Sequence, residues 1–169
     1  MQIHSNFDAG NIKVVAIEPS DIELHIRKDT NSEFLQWFYF KISDIKKEST
    51  QKVRITNAGK SAFPDGWENY RVNVSYDNED WFRIDTTYEN GELIFNIPTD
   101  QKDLYVAYFE PFSYKKHLEL INNATQYENC KKEILCTTPE GKPVELLTIG
   151  QPSESKKKVW FIARQHPGE

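Results

Sequence analysis

DIELHIR, residues 21–27, decides the fold. Ile22, Leu24 and Ile26 alternate with Glu23, His25 and Arg27, and a period of two places the first set on one face of an extended chain and the second on the other. The same beat returns downstream. Tyr70, Val72, Val74 and Tyr76 alternate with Arg71, Asn73 and Ser75, and Leu93, Phe95 and Ile97 alternate with Ile94 and Asn96. Shorter runs read WFYFKI at 37–42, Val53 and Ile55 around Arg54, and LYVAYF at 104–109. Turn-forming residues separate them, among them Pro19-Ser20-Asp21, Pro64-Asp65-Gly66 and Glu89-Asn90-Gly91. Strands with one wet and one apolar face must bury that face against a second layer. Residues 1–112 are therefore expected to form an antiparallel β-sandwich with aromatic side chains filling the gap, making the protein mainly β.

After Pro111 the pattern changes. Residues 113–130, SYKKHLELINNATQYENC, place a serine suited to N-capping before apolar residues at helical spacing, with no Gly or Pro to interrupt. EILCTT and PVELLTIG follow, joined by Pro139-Glu140-Gly141-Lys142, which reads as a hairpin. Val159-Trp160-Phe161-Ile162-Ala163 is apolar throughout, as expected of a strand covered on both faces. Residues 113–169 thus look like the opening elements (helix, hairpin, strand) of an α/β domain.

The mixture of 38% hydrophobic and 28% charged residues is too apolar for a disordered chain. A net charge of −5 gives no field to gather phosphate backbones, and the lysine pairs are scattered, so nucleic acid is not an expected partner. No apolar run is long enough for a membrane helix. MQIHSNFDAG lacks the basic-then-apolar layout of a signal peptide, so the expectation is a cytoplasmic protein without membrane contact. Cys130 and Cys136 are too few for a disulfide framework and too far apart for a CxxC metal site, and are expected as small buried hydrophobes. The seven glycines are dispersed singly, so no phosphate-binding loop is present.

ARQHPGE, residues 163–169, places His166 and Glu169 three apart after the apolar run. Loops leaving the carboxyl ends of strands are where side chains converge in α/β sheets. Imidazole nitrogen and carboxylate oxygen are both zinc donors, and Pro167 and Gly168 could shape the loop that aims them at one point. The spacing itself is common by chance, so from the residues alone a metal site and an ordinary surface loop both stand.

ARQHPGE resembles the first zinc-ligand motif of the cytosolic carboxypeptidase branch of the zinc metallocarboxypeptidases. SNFDAGNIKVV at 5–15, QWFYFKIS at 36–43, GWENYRV at 66–72, YVAYFEPFSY at 105–114 and LCTTPEGKPVELLTIG at 135–150 resemble the same branch in order. The resemblance implies a β-sandwich followed by an α/β carboxypeptidase domain, a zinc cofactor with His166 and Glu169 as its first two ligands, and the C-terminus of a peptide or protein as substrate. It also implies a third histidine ligand, a carboxylate-binding Asn and Arg, and a catalytic Glu that match no position here. No catalytic residue is therefore assigned in this chain, which alone is expected to be inactive. The rival reading is a non-catalytic β-sandwich module for peptide or carbohydrate, with Trp37, Trp67 and Trp81 as its platform.

Overall fold

The computed structural model describes residues 1–47, 51–151 and 153–162. The chain divides into two compact units, Met1–Pro111 and Phe112–Ile162.

The first unit is built from short strands: β1 Gln2–His4, β2 Lys13–Ile17, β3 Asp21–His25, β4 Tyr39–Ser43, β5 Gln51–Ile55, β6 Asn73–Ser75, β7 Trp81–Arg83, β8 Thr86–Glu89, β9 Glu92–Ile97 and β10 Leu104–Ala107. They form two five-stranded sheets, β1-β4-β10-β6-β7 and β2-β3-β5-β9-β8. Among the described residues every pairing is antiparallel except β3 with β5, where Ile22 faces Val53 and Leu24 faces Ile55 in parallel register. The chain crosses to the other sheet as β4 and returns as β5, and two changes of sheet restore the strand direction.

The expected alternation is realised as burial. Ile22 and Leu24 of β3, Val53 and Ile55 of β5, and Leu93, Phe95 and Ile97 of β9 meet Phe40 and Ile42 of β4, Val74 of β6 and Leu104 and Val106 of β10 in one core between the sheets. The mainly β sandwich expected from the sequence is the architecture seen, and burial of these side chains against the opposite sheet is its main favourable term. Beyond the end of β3 the Asn57 amide stands in for a strand, accepting from Ile26 N–H at 2.9 Å and donating to Ile26 C=O at 2.9 Å. Asn11 closes the other side of the same loop by donating to Arg27 and Trp37 carbonyls at 3.0 and 2.9 Å.

In the second unit α1, Tyr114–Ala124, is capped by the Ser113 hydroxyl, which accepts from Lys116 N–H. β11 Cys130–Thr137 and β12 Pro143–Ile149 form a hairpin with a bulge between Ile134 and Cys136. Two sequence expectations differ here. Residues 159–162 form no strand and are 71–93% exposed, because no described strand pairs with them; Ala163 lies outside the described residues. Cys136 is exposed and Cys130 only half-buried, since the hairpin that carries them is itself open to solvent.

Candidate functional site

Phe40 and Ile42 point into the core, so period two sends Tyr39 and Lys41 of β4 to the outer face of their sheet, beside Tyr105 and Ala107 of β10. That outer face is aromatic. Tyr39 is ringed by Phe7 at 4.9 Å, Trp81 at 6.1 Å and Trp37 at 6.3 Å, all near edge-on. Its hydroxyl donates to Asn78 Oδ1 at 2.6 Å, and burial pushes its pKa up to about 12. Lys41 lies over the Tyr105 ring at 5.4 Å and pairs with Asp103 at 2.7 Å.

The three tryptophans of the binding-module reading therefore separate. Trp67 is 1% exposed in the core, stacked on Phe38 at 6.3 Å and edge-on to Tyr70 and Tyr108, and its indole N–H donates to Ala58 C=O at 2.9 Å and Ser61 Oγ at 2.8 Å. Tyr70 beside it donates to the Tyr108 carbonyl, and burial raises its pKa. Trp37 and Trp81 stay half-buried on the outer face, where edge-on contacts with Tyr39 keep their rings from forming a flat stacking surface.

The histidines of the described residues make local contacts. His4 Nε2 lies 3.2 Å from Ser43 Oγ on an exposed strand edge, and His25 is opposite Lys13 in the β2–β3 register. His117 of α1 meets Glu145 of β12 at 2.9 Å, with the carboxylate side chain only 3% exposed. Tyr114 stacks on the His117 ring at 5.8 Å and Lys142 sits 4.9 Å from the Tyr114 centroid. Sequence reading missed this cluster; the helical spacing of Tyr114 and His117 was its one available signal. It also missed the charge network on the outside of the second sheet. There Arg54 of β5 donates to Asp21 of β3, with a shortest contact of 2.8 Å, and to Glu92 of β9 at 3.1 Å. The Arg54 guanidinium holds the Asp21 carboxyl down at about 2, against an opposing push from burial and with help from Lys52.

Among the described residues no group of three or more His, Cys, Asp or Glu is placed to hold a metal ion. The sequence-derived pair His166 and Glu169 lies outside the described residues. An open groove of about 370 Å³ is lined by Lys47, Tyr76, Asp100, Gln101, Lys102 and Asp103, a set of mixed charge.

Residues 3–109 match the family model described as cytosolic carboxypeptidase N-terminal domain. The chain belongs to that family. It is 40% identical over its whole length to an uncharacterized protein of Zymomonas mobilis, and 30% identical over 98% of its length to human cytosolic carboxypeptidase 2. It spans 43% of the first relative and 22% of the second, well under half of either. Among solved structures, a putative carboxypeptidase A from Shewanella denitrificans superposes with a TM-score of 0.95 at 40% identity, covering 99% of this chain and 45% of that one. A metallo-carboxypeptidase from Burkholderia cenocepacia gives 0.93 at 41% identity, covering 99% and 44%. The Pseudomonas aeruginosa metallo-carboxypeptidase, solved with (2-guanidinoethylmercapto)succinic acid, gives 0.92 at 38% identity, covering 100% and 45%. Among the described residues no helix is long and apolar enough to cross a membrane.

Proposed function

We propose that the chain is the N-terminal portion of a zinc-dependent carboxypeptidase of the cytoplasm that removes C-terminal residues from peptides or proteins. The observation that carries this reading is the likeness to a putative carboxypeptidase A and a metallo-carboxypeptidase over 99% of the chain at about two-fifths identity, sandwich and second unit together. Residues 1–112 are the sandwich domain in this reading, and 113–169 begin the α/β catalytic domain. The exposed apolar side chains of the second unit support that division. Leu135 and Ile149 of the hairpin and Trp160 and Phe161 after it are 66–93% exposed, as expected of elements that further strands and helices would cover.

His166 and Glu169 would supply two of the ion's ligands, since imidazole and carboxylate suit zinc and the loop has a Pro and a Gly between them. A bound zinc would lower the pKa of a water and polarise a peptide carbonyl. Two ligands hold such an ion weakly, so the 169-residue chain alone is inactive in this reading. The test is a protein extended to the full length of the Zymomonas relative, analysed for metal by atomic emission and for amino acids released from peptide C-termini. One zinc per molecule and C-terminal release are expected, with both lost in His166→Ala and both missing from the 169-residue chain. Full zinc occupancy in the His166→Ala protein would overturn the ligand assignment.

A further inference from the structure

β3 and β5 run parallel, so both chains leave their sheet at the same end. The segments that follow, KDTNSEFLQ at 28–36 and KSAFPDGWE at 60–68, are consequently neighbours, and two hydrogen bonds join them: Ala62 N–H to Leu35 C=O at 2.8 Å, and Phe63 N–H to Gln36 Oε1 at 2.9 Å. Each segment turns one phenylalanine to solvent, Phe34 at 67% and Phe63 at 61% exposure.

Neither ring sits on a loose tip. Asp29 N–H bonds Phe34 C=O at 2.9 Å, Ser32 N–H bonds Asp29 C=O at 3.1 Å, and Phe34 N–H bonds Ser32 Oγ at 3.1 Å, which ties the first loop into a closed turn. The Phe63 ring lies against Gly66 so closely that a Cβ there would come within 2.5 Å of it, which fixes one side of the ring and leaves the other open. Exposed aromatic rings on loops already held in place lose little freedom on binding. The two segments carry Asp29, Glu33, Asp65 and Glu68 against Lys28 and Lys60, and because Lys28 pairs with Glu33 the balance is three carboxylates, Asp29, Asp65 and Glu68, against Lys60. That excess of carboxylates favours a cationic partner and opposes an anionic lipid surface.

We propose that this end of the sandwich docks an extended protein segment whose apolar side chains are flanked by lysine or arginine. The rings provide the buried contact and the carboxylates select the flanking charge. This surface is independent of the carboxypeptidase reading, because it lies wholly within the sandwich and uses none of the residues assigned to the metal.

The probe is a twelve-residue peptide of alternating leucine and lysine, titrated into the 169-residue chain by calorimetry, with a leucine–glutamate peptide as its counterpart. Saturable binding of the lysine peptide is expected, at least tenfold weaker to a Phe34→Ser/Phe63→Ser chain whose circular dichroism matches the parent. Asp65→Lys/Glu68→Lys should weaken binding several-fold while leaving the rings in place. Failure of the parent chain to bind the lysine peptide, equal binding by the double phenylalanine variant, or equal affinity for the glutamate peptide would each overturn the proposal.

Discussion

Trp67→Phe separates a structural aromatic from a binding one, and its cost can be worked from the geometry. The indole N–H serves two acceptors, Ala58 C=O and Ser61 Oγ, both buried. Phenylalanine leaves them without that donor, which costs about 1–2 kcal/mol. Loss of the pyrrole ring from among Phe38, Tyr70 and Tyr108 leaves a void, for about 1–2 kcal/mol more. The expected total is about 3 kcal/mol. With an m-value of about 1.5 kcal/mol/M, the urea midpoint should fall by about 2 M.

Near-UV circular dichroism is the readout, because the aromatic rings cluster in the sandwich and the signal reports their packing. The control is Trp37→Phe. Its indole N–H donates at 2.7 Å to the C=O of the exposed Ala9, where water can replace it, so a loss under about 1 kcal/mol is expected. A midpoint shift below about 0.5 M for Trp67→Phe, or an equal shift for Trp37→Phe, would refute the assignment of Trp67 to the core.

Asp21→Asn should remove a pH-dependent contribution. The folded carboxyl sits near 2 against an ordinary 3.8, so its stabilisation is present above about pH 4 and disappears as the pH falls through 2. The full shift corresponds to about 2 kcal/mol, and because the side chain is 31% exposed roughly 1 kcal/mol is expected, measured as a stability gap between parent and variant at pH 7 that closes near pH 2. Gly59→Ala should destabilise by about 1–3 kcal/mol, since its Cβ would meet Gly91 Cα at 2.9 Å where Gly59 N–H already bonds Gly91 C=O at 2.7 Å. Thermal unfolding of the two proteins checks it.

The sandwich was legible because its strands obey a strict period on a half-wet surface: Ile22 and Leu24, or Leu93, Phe95 and Ile97, announce both the strand and the face it buries. β1, β7 and β8 were not, because strands of three or four residues at sheet edges carry too few alternations to rise above chance. The parallel β3–β5 pairing was hidden too. Periodicity tells which face a strand buries and says nothing of its direction, which here follows from the detour through β4.

The candidate metal site was legible in a different way. Spacing gives His166 and Glu169 no more than a chance match, and their weight comes from resemblance of the surrounding motifs. The run at 159–162 shows why composition cannot stand in for geometry. Four consecutive apolar residues state that the segment is to be covered, yet whether it becomes a strand depends on partners that supply backbone hydrogen bonds along both edges, and none is found among the described residues. The hairpin makes the same point with more residues. β11 and β12 satisfy each other along one edge, which is enough to fix their register, while Ile134, Leu135 and Ile149 remain more than half exposed, so a paired edge does not by itself bury a side chain. Sequence pattern records the burial a segment demands; tertiary neighbours decide whether the demand is met.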